Sequence, residues 1–228
     1  MAIKPILFNT EMVRAILDGR KSCTRRIVKP QQLVGLLPDK CKNGVPEKFL
    51  KEKKFMFKPY CNMTDIELIN TAYKAPYQTG DILYVRETWE HFECCCCEGD
   101  EHGNCYREPQ QSVLNKSCGC YMYRATDEIY GDAKWHPSIH MPKEAARIWL
   151  EVTNVRVERL QEMWASDVPK EGIYFNKPTT ADEMLMAFAK LWNSTIKESV
   201  LDRYGWDANP WVWVIEFERC EKPEDNQN

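Results

Sequence analysis

The sequence predicts an α+β fold, in which helices stand apart from a mostly antiparallel or mixed β-barrel. Three observations carry that expectation. Strand-like stretches rich in β-branched and aromatic residues recur from residue 80 onward, separated by long polar insertions. The helical patterns do not alternate with these strands, so a parallel βαβ sheet is not indicated. No internal repeat suggests a solenoid or a propeller.

Each element has a local reason. Asn9 or Thr10 can cap a helix in which Met12, Val13, Ile16 and Leu17 share one face, and Gly19 ends it. Residues 20–26, Arg-Lys-Ser-Cys-Thr-Arg-Arg, read as a basic turn before a short strand-like Ile27-Val28 that Pro30 stops. Residues 31–76 are polar and Lys-rich without a sustained period, an insertion over a weak helix. Asp81 to Trp89 is a strand that opens at the turn of Gly80. A second insertion covers about 90–120, and Tyr121–Ala125 resumes a strand. Residues 147–158 make the longest strand candidate, followed by a helical piece from Leu160 to Gly172 and a third insertion near 173–180. Thr180 and Glu183 form a capping box for a helix with a buried stripe of Met184, Leu185, Phe188, Leu191 and Trp192. Trp211 to Arg219 is the closing strand. One domain over 1–220 with a polar tail at 221–228 is the expected organisation.

Composition narrows the function class. With 43% hydrophobic and 29% charged residues the chain is not a disordered tail. No apolar run reaches the roughly 18 residues of a membrane span, and the opening segment lacks a signal-peptide pattern. A cytoplasmic protein without a membrane partner is expected. The net charge of −3 conceals an asymmetry: residues 1–60 hold 14 Lys/Arg against 5 Asp/Glu, and the remainder 17 against 29. A basic end on an acidic body suits steering of a phosphate-bearing ligand. Lys48, Lys51, Lys53, Lys54 and Lys58 equally suit a solvated loop.

Seven of the 11 cysteines fall between residues 94 and 120. Without a secretory signal, a metal site is favoured over a disulfide framework. Cys94-x-x-Cys97 and Cys118-x-Cys120 supply two soft-ligand pairs for a structural zinc. Cys95 or Cys96 could replace a neighbour, and Cys105, His91 and His102 are reserve ligands. Free thiols are the alternative. The turn after the first helix is the other informative feature. It puts an ammonium, a hydroxyl and guanidiniums within eight residues, a set that binds phosphate, activates a hydroxyl or simply decorates a basic surface.

Gly19-x-Lys21-x-x-Thr24-x-Arg26 resembles the Gly-x-Lys-x-x-Glu-x-Arg signature of ASCH domains, a branch of the PUA-like barrels. Thr79–Val85, Leu150–Val155 and Trp211–Phe217 are similar to ASCH strands. Ile6–Leu17, Val85–Trp89 and Pro137–Pro142 resemble the longer ASCH proteins common in phages and prophages. These matches run in order over about half the chain. Thr24 stands where Glu is commonest, a departure shared with compact ASCH enzymes that deacetylate N4-acetylcytidine. The resemblance implies a working set of Lys21, Thr24 and a Glu after the third strand, best matched by Glu171, with Glu162 and Asp167 as neighbours. Thr24 would be the nucleophile. Lys21 would be its base if burial and the charges of Arg25 and Arg26 lower its pKa. Arg26 would bind an oxyanion or a phosphate.

The resemblance further implies that a nucleoside, nucleotide or single-stranded nucleic acid is the partner. Trp89 is the foremost stacking face, with Trp135, Trp206 and Trp211 as others. Arg86, Ser138, His140 and Asn209 would read polar edges, although His140, between Ile139 and Met141, suits a core histidine better than a catalyst. Ribonuclease action, or RNA binding or a phage–host interaction without turnover, are the alternatives that the resemblance leaves open.

Overall fold

The computed structural model describes residues 1–29, 64–93, 119–128 and 134–223. The chain forms two compact units from interleaved segments: Met1–Ser22, Gly80–Val152 and Phe217–Asn228 make the first, and Cys23–Thr79 with Thr153–Glu216 make the second.

In the first unit, β1 (Ile3–Leu7) pairs in parallel with β3 (Ile82–Arg86), and β3 pairs antiparallel with the first residues of β6 (Trp149–Arg159). Side chains alternate across these strands, so Ile6, Leu83, Val85, Leu150 and Val152 become buried. Pro5 has no N–H to offer a second neighbour, and β1 is an end strand of the sheet. Helix α1 (Thr10–Leu17) starts where the Asn9 side chain accepts the Met12 N–H at 2.9 Å. It buries Val13, Ala15 and Ile16. Gly19 then adopts φ +72°, a conformation that glycine takes without a Cβ penalty. Strands β4 (Trp89–Glu93) and β5 (Gly119–Tyr123) form an antiparallel hairpin, so the expected second insertion is entered and left by paired strands. Met141, Ala145, Ala146 and Trp149 pack with Tyr84, Trp89, Tyr121 and Tyr123 in a core of this unit.

In the second unit, β2 (Cys23–Ile27) pairs antiparallel with β7 (Trp211–Cys220), with Thr24 opposite Ile215 and Arg26 opposite Trp213. Helix α2 (Asp65–Ala72) is capped reciprocally by Thr64 and Glu67. Helix α3 (Ala181–Ser194) opens on the expected Thr180–Glu183 box, and its Phe188 and Trp192 are buried. They join Leu160, Met163, Val168, Val212 and Val214 in one core, against which Met184 and Leu185 pack. A short helix α4 (Leu201–Tyr204) precedes β7.

The strands give one five-stranded mixed sheet in the order β1-β3-β6-β7-β2, alongside the separate β4-β5 pair. The α+β expectation with a mixed sheet is met. Among the described residues the sheet is open, with β1 and β2 as its end strands, and it is not closed into a barrel. No helix among them is long and apolar enough to cross a membrane.

Two local expectations are corrected. Cys23–Ile27 is a strand and not part of a turn, because every one of its residues pairs with β7 and the ladder overrides the local pattern of the basic run. Leu160 to Gly172 is not one helix but three 3₁₀ turns, Leu160–Glu162, Ala165–Asp167 and Pro169–Glu171. Pro169 withholds an N–H that a continuous helix through this segment would use, and the chain turns in short 3₁₀ pieces instead.

Candidate functional site

Strand alternation sorts β2 into two faces within the second unit. Cys23, Arg25 and Ile27 share one, with Val212 and Val214 of β7 opposite Ile27 and Arg25. Cys23 and Ile27 enter the apolar core there. Arg25 carries a charge into the same region and is surrounded by carboxylates. Its Nε and Nη2 donate to Glu158 Oε1 at 2.9 and 2.7 Å, and its Nη1 donates to Glu171 Oε1 at 3.0 Å. Asp167 lies 3.6 Å from Nη2. Burial alone would lower the Arg25 pKa, but Glu171 and Glu158 outweigh it and leave it raised. Arg25 therefore does not act as the uncompensated positive charge that the sequence suggested.

The cluster continues outward. Arg156 donates to the second Glu158 oxygen at 3.3 Å and to Glu216, and Lys170 donates to Asp167 at 2.8 Å. Burial would raise the Asp167 pKa, but Lys170 and Arg25 override that and hold it below the usual carboxylate range. The sign follows directly: this depressed carboxyl stabilises the fold above its unfolded-state pKa of about 4, and the contribution is lost as pH falls through the lower folded value. Urea midpoints at pH 6 and pH 3 should therefore fall more for the wild type than for Asp167→Asn. An equal fall in both would contradict the pairing.

Thr24 and Arg26 occupy the opposite face of β2, together with Trp213 and Ile215 of β7. On that face Trp213, with Val155 of β6, floors a cleft of about 600 Å³. The segment from the C-terminal turn of α2 to residue 79 supplies the wall through Asn70, Tyr73, Lys74, Tyr77, Gln78 and Thr79. Burial pushes the Tyr77 phenol above its ordinary value, opposed by the Arg26 guanidinium, and burial pushes Tyr73 up to about 12. Burial likewise lowers the Arg26 pKa, opposed by Tyr77 and Glu171. The cleft thus joins aromatic faces with amide and hydroxyl groups, and Arg26 lies on the same sheet face as its Trp213 floor.

The other expected site residues are placed as follows. Lys21 belongs to the first unit, buried, with its ammonium 5.5 Å from the centre of the Phe8 ring. Lys21, Thr24 and Glu171 are each 5% exposed. Glu171 reaches Arg25, and its Oε1 lies 4.0 Å from the Cys23 sulfur. Glu162 caps a turn by accepting the Arg159 N–H. In the first unit, Arg86 donates to the Ile139 carbonyl, and Trp89 packs with Tyr121 and His136 at 5.5 and 5.3 Å between ring centres. Ser138 is half-buried. His140 is exposed in the turn Ser138–His140 and is not a core residue, because the flanking Met141 turns inward instead.

In the second unit, Asn209 takes φ +45° and uses its side-chain oxygen to accept the Gln161 N–H at 2.9 Å, a structural fastening of the β6–β7 approach. Trp206 packs edge-on to Phe188, and Trp211 lies under the Arg159 guanidinium at 4.3 Å. Trp135 is half-buried. Cys94, Cys97, Cys105 and Cys118 lie outside the described residues, as does the side chain of Cys120. The sequence reading missed Trp213, Tyr77 and Glu158. Alternation in Trp211-Val-Trp-Val-Ile215 carries the signal for Trp213, since it assigns the valines to one face and the tryptophans to the other. No family model, curated protein or solved structure matches the chain.

Proposed function

We propose that the protein recognises a nucleoside, nucleotide or single-stranded nucleic acid at the cleft over Trp213, and hydrolyses an acyl group from N4-acylated cytidine, as an amidohydrolase of the ASCH type among PUA-like barrels. The observation that supports this most is the sharing of one sheet face by Thr24, Arg26 and the cleft floor. Tyr73 and Tyr77 offer the cleft aromatic surface on which a planar base could stack, and Asn70 and Gln78 offer amide groups for its polar edge.

The resemblance to ASCH amidohydrolases implies a reaction carried by Lys21, Thr24 and Glu171. The Thr24 oxygen attacks the acyl carbonyl, and Lys21, as the neutral amine, takes its proton. Lys21 then protonates the departing exocyclic nitrogen, leaving cytidine and an acyl ester on Thr24. Water enters, loses a proton to Lys21 and cleaves the ester to give carboxylate and restored hydroxyl. Arg26 stabilises the oxyanion formed in each half; the resemblance adds Glu171 as the carboxylate of the set, and its contact with Arg25 holds it against β2. Incubating the purified protein with free N4-acetylcytidine tests this: acetate release is expected. A folded protein that releases none would favour binding without turnover.

A structural zinc in the 94–120 window is part of the same proposal. The cysteine spacing supports it, together with the hairpin register that sets Glu93 opposite Gly119 and so brings the two ends of the window to paired positions. Thiolates of Cys94, Cys97, Cys118 and Cys120 would hold the ion, whose contribution would be folding free energy for the insertion. Elemental analysis should find about one zinc per chain, as a closed four-ligand site requires. Metal-free protein that retains its fold would overturn this assignment.

A further inference from the structure

The wall of the cleft carries an asymmetry of charge. Among the described residues Lys74 is its one charged lining residue, and none of those lining it is a carboxylate. This contrasts with the other face of β2, where Glu158, Asp167 and Glu171 gather around Arg25. On the cleft face, Arg26 sits opposite Trp213, and the attraction of Tyr77 and Glu171 does not offset its loss of water. An anion entering the cleft would meet the exposed ammonium of Lys74 and, among the described lining residues, no repelling carboxylate.

We propose that the cleft takes a phosphorylated nucleotide unit in preference to the free nucleoside, with Lys74 as the residue that selects the phosphate. The proposal rests on the reading of the cleft as a nucleoside site and deepens it by naming the ligand class. Lys74 follows the C-terminal turn of α2, is exposed, and lines the cleft. The ring of the nucleotide lies against the half-buried Tyr73 and Tyr77 over the Trp213 floor, and its phosphate extends toward the rim where Lys74 stands. A competing role for Lys74 is to complement the partial negative charge at the end of α2. That role predicts a loss of stability on substitution and no change in ligand preference.

The test is a calorimetric titration of cytidine and of cytidine 5′-monophosphate into the wild type and into Lys74→Ala, at low and at moderate salt. The wild type is expected to bind the monophosphate about five- to tenfold more tightly than the nucleoside, the size of one partly screened charge-assisted contact. The preference should shrink with salt and disappear in Lys74→Ala. Equal affinity of the wild type for both ligands would overturn the phosphate assignment and leave the nucleoside reading standing. A preference that survives in Lys74→Ala would overturn the role of Lys74. Binding of neither ligand to the folded wild type would overturn the nucleoside reading itself, and the phosphate assignment with it.

Discussion

Thr24→Ala is expected to lower acetate release from N4-acetylcytidine by at least about a hundredfold while the protein remains folded, in line with the ~10²–10⁴ carried by positioned proton-transfer chemistry and the loss of the attacking oxygen. The substitution removes a hydroxyl from a β2 residue whose backbone is held opposite Ile215, so the strand has no reason to shift. Its side chain lies on the cleft face and not in the ion cluster, so the core and the Arg25 pairs are untouched. Loss of turnover without loss of ligand binding therefore reports chemistry. Thr24→Ser, which keeps an attacking oxygen, should recover part of the rate. Undiminished acetate release by Thr24→Ala would remove the nucleophile from the mechanism.

Arg25→Leu is expected to be the most destabilising single change in the second unit, at about 3–5 kcal/mol, because it strands buried or half-buried carboxylates without their shared cation. The guanidinium serves Glu158 through two nitrogens and Glu171 through the third, and its side chain is wholly buried. Arg25→Lys should fall between the wild type and Arg25→Leu, since one ammonium cannot reproduce the three-nitrogen geometry. Urea denaturation gives the comparison directly. A loss below about 1 kcal/mol in Arg25→Leu would mean that the three carboxylates find other partners or water, as exposed pairs do.

Much of the fold was legible in the sequence. The β6 and β7 strands, the Asn9 cap and the Thr180–Glu183 box all sit where periodicity and capping chemistry put them. Those signals are local, each written in a run of adjacent residues. The misreadings arose where distant partners decide the conformation. The basic run at 20–26 has weak strand character of its own, and Cys23–Ile27 is extended because β7, nearly two hundred residues later, offers a ladder. The site was partly legible for the same reason. The signature from Gly19 to Arg26 drew attention to Thr24 and Arg26, which share the cleft face. The sequence could not show that Arg25 between them points the other way into three carboxylates until the strand was known. The aromatic wall was hidden differently. Tyr73 and Tyr77 lie at the end of a polar stretch without periodicity, and only the fold of α2 and the following turn lines the cleft with them.

Binding is the most direct test of the central claim, that the cleft over Trp213 is where the base is held. N4-acetylcytidine should be titrated calorimetrically into Thr24→Ala, which cannot turn it over, and into the double variant that adds Tyr77→Ala. A saturable single site in the first protein, weakened by at least about fivefold in the second, is the result expected if an aromatic wall contributes the ~1–3 kcal/mol of one stacked base. The same affinity in both proteins, or no binding to either while both are folded, would contradict it.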